Sequence, residues 1–77
     1  MNEFIQQQFN RIFRSDYSEE ELEELKVKGS SSEKLVLKVL KDIFQNTHEV
    51  SYKELFSVLS SEMLKRLAET PHIFRNE

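Results

Sequence analysis

The chain has 77 residues, no cysteine, one glycine, one proline and a formal net charge of −3. That length allows one domain over residues 1–77, and the missing cysteines exclude a disulfide framework and a thiolate metal site. With 38% apolar residues and 32% charged residues of both signs, the composition is that of a folding chain, while the charge is too small for a polyanionic mimic of DNA and of the wrong sign for a protein held to nucleic acid by its overall field.

The first predicted helix covers 3–14. At 100° per residue Ile5, Phe9 and Ile12 centre one face, with Phe4 and Phe13 at its edges and Gln6, Gln7, Asn10, Arg11 and Arg14 opposite. A second, short helix covers 19–28. Its start carries Glu19, Glu20 and Glu21 and its end Lys26 and Lys28, which suits the helix dipole at both ends. Leu22 and Leu25 point inward, with Val27 beside them. Gly29 is read as its stop, through a left-handed conformation that a side chain would oppose.

Helix starts carry the clearest local signal. Ser18 with Glu21, Ser30 with Glu33 and Ser51 with Glu54 each have capping-box spacing, in which the serine and the glutamate satisfy each other's backbone N–H groups. Tyr17 with Leu22 and Val50 with Leu55 add hydrophobic staples to two of these boxes.

The third helix, 33–46, is the predicted centre. Leu35, Val36, Leu37, Val39, Leu40, Ile43 and Phe44 cover more than half its circumference, leaving a narrow polar strip of Lys34, Lys38, Lys41 and Gln45 with Asp42 beside it. Residues 46–49 read as a loop. The fourth helix, 52–59, is expected to bury Tyr52, Leu55, Phe56, Val58 and Leu59. Ser60 and Ser61 cap the fifth, 62–69, which buries Met63, Leu64, Leu67 and Ala68. Pro71 ends it, and the residues beyond, with a short extended tail as one option, stay unclassified.

The fold class that follows is all-α: a compact bundle of about five short helices. Its predicted core is Ile5, Phe9, Ile12, Leu22, Leu25, Val36, Val39, Leu40, Ile43, Phe44, Leu55, Phe56, Leu59, Leu64 and Leu67. Phe4, Phe13 and Phe74 are expected at partly exposed or contact positions. The longest apolar run, Leu35–Leu37, is far short of a membrane span. Met1-Asn2-Glu3 opens no signal-peptide pattern, so the expected location is cytoplasmic.

No pattern of residues points to catalysis, a metal or a cofactor. One glycine cannot build a Walker or dinucleotide loop. His48-Glu49 begins a zinc-protease motif, but Tyr52 stands where the second histidine belongs. The acidic run Asp16, Glu19, Glu20, Glu21, Glu23 and Glu24 reads as a solvated helix start before it reads as a docking patch. The Lys34–Lys38–Lys41 strip reads as the wet edge of a buried helix before it reads as a phosphate contact.

Two functions remain. The first is a protein-interaction or regulatory module whose partner is another protein or a second copy of the chain. Its contact residues would be Phe4, Ile5, Phe9, Ile12 and Phe13, because a Phe-rich helix of this length must pack on something, whether its own domain, a homodimer seam or a partner's groove. Its Gln-rich polar face argues against a membrane surface. The alternative is nucleic-acid binding by a helix-turn-helix made of helices 33–46, 52–59 and 62–69, with Ser61, Lys65, Arg66 and Arg75 as contacts. The stretch Val50–Arg75 loosely resembles the close of some winged-helix domains, without a motif that names a family. Glu62 and Glu69 beside Lys65 and Arg66 oppose that reading, since phosphate contacts supply most nonspecific affinity.

Overall fold

The computed structural model describes residues 3–47 and 50–71. Five helices follow one another: α1 (Glu3–Phe13), α2 (Glu19–Lys28), α3 (Ser31–Gln45), α4 (Tyr52–Val58) and α5 (Ser61–Ala68), with no strand among the described residues. The architecture is the all-α bundle that the periodicity predicts. The tail beyond Pro71, the two histidines, Phe74 and Arg75 lie outside the described residues.

The helix starts follow from their serines. Ser18 accepts from the Glu21 N–H at 3.2 Å while Glu21 accepts from the Ser18 N–H at 2.8 Å. Ser30 and Glu33 close the same box at 3.2 and 2.9 Å. Because Ser30 is the cap, α3 begins at Ser31, two residues before the predicted start. Ser60 caps α5 through the Met63 N–H at 3.3 Å. The third predicted box does not form: Ser51 makes no side-chain cap bond. Its ψ is 117°, whereas the three working caps have ψ of 170°, 169° and 163°. That rotation turns its hydroxyl away from the first-turn N–H groups.

Helix ends required a different reading at Gly29. Its φ is −71°, so it is extended and not left-handed. Glycine stands there because a Cβ would lie 2.5 Å from the Leu25 carbonyl oxygen, to which the Gly29 N–H donates. The left-handed positions are instead Arg14, φ 52°, and Asn46, φ 55°. In each case the next N–H reaches back five residues, Ser15 to the Asn10 carbonyl at 3.0 Å and Thr47 to the Asp42 carbonyl at 3.3 Å, which is the Schellman closure. Asparagine tolerates this geometry better than other side chains, but arginine gains nothing from it. Arg14→Gly should therefore stabilise the chain by about 0.5–1 kcal/mol, the relieved strain outweighing glycine's greater freedom when unfolded; urea denaturation gives the check.

Helix α3 lies at the centre and packs against α1, α2 and α4, while α1 also packs against α2 and α5. The radius of gyration is 11.9 Å, close to the ~11–12 Å of a compact chain this long. One apolar cluster joins Ile5, Phe9 and Ile12 of α1, Leu22 of α2, five side chains of α3 from Leu35 to Leu40, Ile43, and Val50, Leu55, Leu59 and Leu67. Both staple pairs end in this cluster, Tyr17 partly buried beside it. Leu25, Phe44 and Leu64 are half-buried, less than predicted.

Four expected inward positions are corrected. Phe56 is 75% exposed, Tyr52 48% and Val27 75%, and Ala68 is exposed. The cause in α4 is geometric. Leu55 and Leu59 form one stripe, and Tyr52 and Phe56 a second about a quarter-turn away. With α3 the main neighbour of this short helix among the described residues, only the first stripe is covered. The opposite correction falls on Asp42, which is 5% exposed. Its carboxylate accepts from the Thr47 hydroxyl and from the Val50 N–H at 3.4 Å, so it closes the connection from α3 to α4 from inside. No buried side-chain polar atom among the described residues lacks a hydrogen-bond partner.

Candidate interaction surface

The α1 stripe is used within the chain. Ile5, Phe9 and Ile12 are buried, and Phe4 and Phe13 pack half-buried against the same cluster. The Phe4 ring meets Phe44 of α3 at 5.7 Å, tilted by 30°. Phe9 stacks on Phe13 at 4.4 Å and meets Tyr17 edge-on at 5.9 Å, separations at which aromatic rings attract beyond simple burial.

The opposite, polar face of α1 holds the fold together. The Asn10 amide donates to the Tyr17 carbonyl at 3.0 Å while its oxygen accepts from the Tyr17 N–H at 3.0 Å and the Ser15 hydroxyl at 2.9 Å. Gln6 donates to the same carbonyl at 3.2 Å. Arg11 donates to the hydroxyl of the buried Thr70 at 2.8 Å. Sequence periodicity marks such residues only as polar, because it is blind to a loop folding back over them.

Of the residues proposed for nucleic acid, two are open on α5 and one is engaged with α1. Ser61 and Lys65 are exposed, and Arg75 lies outside the described residues. Arg66, with 20% of its side chain exposed, donates to the Ile12 carbonyl at 2.9 Å and pairs with Glu62 at 3.2 Å. It caps one of the free carbonyls at the end of α1 and ties α5 to that helix. Helix α5 packs chiefly on α1 and α4 on α3, whereas the two helices of a helix-turn-helix pack on each other.

Two apolar surfaces remain open. The first is the Tyr52–Phe56 face of α4. The second is a groove of about 560 Å³ floored by the half-buried Phe44 and by the buried Ile5 and Leu37, with Gln45, Lys26, Lys34, Lys38 and Lys41 around it. Lys26 pairs with Glu23 of its own helix at 3.0 Å, a contact that holds the Glu23 carboxyl below its ordinary range. Lys34, Lys38 and Lys41 are exposed and form no ion pair among the described residues. The sequence exposes this strip through its spacing, but not the hollow beside it, which α1 and α2 create.

The acidic run from Asp16 to Glu24 is exposed. Glu21 works there as a cap and Glu23 as the partner of Lys26. No group of three or more His, Asp or Glu among the described residues is placed to share a metal ion, and no described helix is long and apolar enough to cross a membrane. Comparison of the chain with family models, with curated proteins and with solved structures finds no match in any of the three.

Proposed function

We propose that this chain is a small, non-catalytic protein-interaction or regulatory module, working in the cytoplasm, whose contact surface centres on α4 and not on α1. The observation that carries this reading is the pair Tyr52 and Phe56, four residues apart on one helix face and 48% and 75% exposed. Single exposed apolar residues are ordinary, but neighbouring exposed rings on a short helix are the usual material of a protein contact. The partner is another protein or a second copy of the chain. Dimerisation through the α1 stripe would require α1 to leave its place against α3 and α5 and be exchanged between copies.

Helix-turn-helix binding ranks below this, because Arg66 is engaged with α1 and Glu62. Affinity capture at low and high salt separates the two readings. The interaction reading expects a protein partner, or the chain itself, retained at high salt and lost with Tyr52→Ser/Phe56→Ser. Recovery of nucleic acid that high salt releases and the α4 variant does not affect would overturn it. Light scattering over a concentration series then tells self-association from a foreign partner.

A further inference from the structure

The lysine-edged groove on the outer side of α3 has a defined chemistry. Lys34, Lys38 and Lys41 stand on one edge of the helix, spaced over seven residues or about 10 Å of helix axis. Leu37 and Phe44 lie next to this edge, and Gln45, Ile5 of α1 and Lys26 of α2 complete the lining. A chain of net charge −3 thus gathers four of its cations around one apolar hollow, and three of them have no carboxylate partner among the described residues.

We infer that this groove docks an acidic amphipathic helix of a partner protein, its apolar stripe laid on the half-buried Phe44 and the lysine stems, over the buried Leu37, and its carboxylates against Lys34, Lys38 and Lys41. Charge complementarity selects the occupant. The amines are spread along the groove and not gathered at one mouth, so they match negative charges repeated at each helical turn better than the single head group of a fatty acid. The apolar lining beside them would stay unused under a phosphate backbone, whereas a helix laid in a groove uses both through anchors at each turn. Long lysine stems also cover apolar surface at the edges of such a contact.

This inference rests on the reading of the chain as an interaction module, but its residues are distinct from Tyr52 and Phe56, so the two can fail separately. The probe is a synthetic helical peptide of about 18 residues with a leucine stripe flanked by glutamates, titrated into the full chain and followed by amide NMR. A scrambled peptide of equal composition, a single-stranded oligonucleotide and dodecanoate are run beside it. The expected result is saturable binding of the helical peptide, weakened by added salt, with shifts at Lys34–Gln45 and Ile5. Lys38→Glu/Lys41→Glu should weaken it about tenfold or more, while Lys53→Glu, on α4, leaves it unchanged and far-UV circular dichroism shows all variants folded. Absence of binding, equal binding of the scrambled peptide, or tighter binding of the oligonucleotide or dodecanoate at these residues would overturn the inference.

Discussion

Phe9→Ala is expected to cost about 3–5 kcal/mol of stability. Phe9 is 0% exposed, and its ring touches Phe13 and Tyr17 at 4.4 and 5.9 Å. Removing it opens a cavity at the junction of α1 with the connection to α2, where rigid neighbours limit collapse. A chain of this length has about 4–12 kcal/mol in total, so the variant should be marginally folded or unfolded in urea-free buffer. Urea denaturation followed by circular dichroism measures it. Phe56→Ala serves as the contrast, since an exposed ring at 75% should change stability by no more than about 0.5 kcal/mol. Phe56 reverses what the sequence alone suggests, which places both rings in the core and Phe9 also among the contact residues. A loss below about 1 kcal/mol at Phe9 would show that α1 does not sit where the structure places it.

That reversal shows where sequence reading stops. The stripes of α1 and α3 are legible because each helix is long enough for several turns to vote for one direction, and the apolar residues it contributes are mostly buried. Helix α4 has seven residues, too few to distinguish two adjacent stripes, and which one is covered depends on how many helices lie beneath it. Periodicity also ranks Asp42 with the lysines that flank it, yet the returning loop carries Thr47 and Val50 over its carboxylate. Asn10 is hidden for the same reason. Its partner is the backbone of Tyr17, and backbone groups leave no trace in residue type. Capping is legible where the side chain acts within three residues, as at Ser18, Ser30 and Ser60, and it fails at Ser51, whose ψ of 117° is a backbone property that residue type does not record.

What the described helices leave open lies at the margins of the fold. The α1 phenylalanines are the strongest apolar signal in the sequence, and for that reason the chain buries them itself. What stays open is what the small core has no room to cover: the second stripe of α4, and the lysine edge of α3 where α1 and α2 leave a hollow. Both are exposed by the number and length of the helices.

Asp42→Ala is the second large effect, expected at about 2–3 kcal/mol. The buried carboxylate accepts from the Thr47 hydroxyl and the Val50 N–H, and hydrogen bonds to a charged acceptor are stronger than neutral ones. Truncation leaves the buried Val50 N–H with nothing to accept from it and releases the exposed Thr47 hydroxyl to water, so most of the cost is desolvation without return at Val50. The loss should also have a direction in space. Val50 is buried, and the chain then passes into α4, whose packing is against α3 alone among the pairs that touch extensively. Amide exchange should therefore quicken at Val50 and through α4 more than in α1 or α2, a local opening rather than a uniform loss. Asp42→Asn keeps one accepting oxygen and turns an NH₂ toward the other donor, so it should retain part of the stability and sharpen the test. Uniform quickening across all five helices, or an unchanged α4, would mean that the carboxylate does not hold the α3–α4 connection.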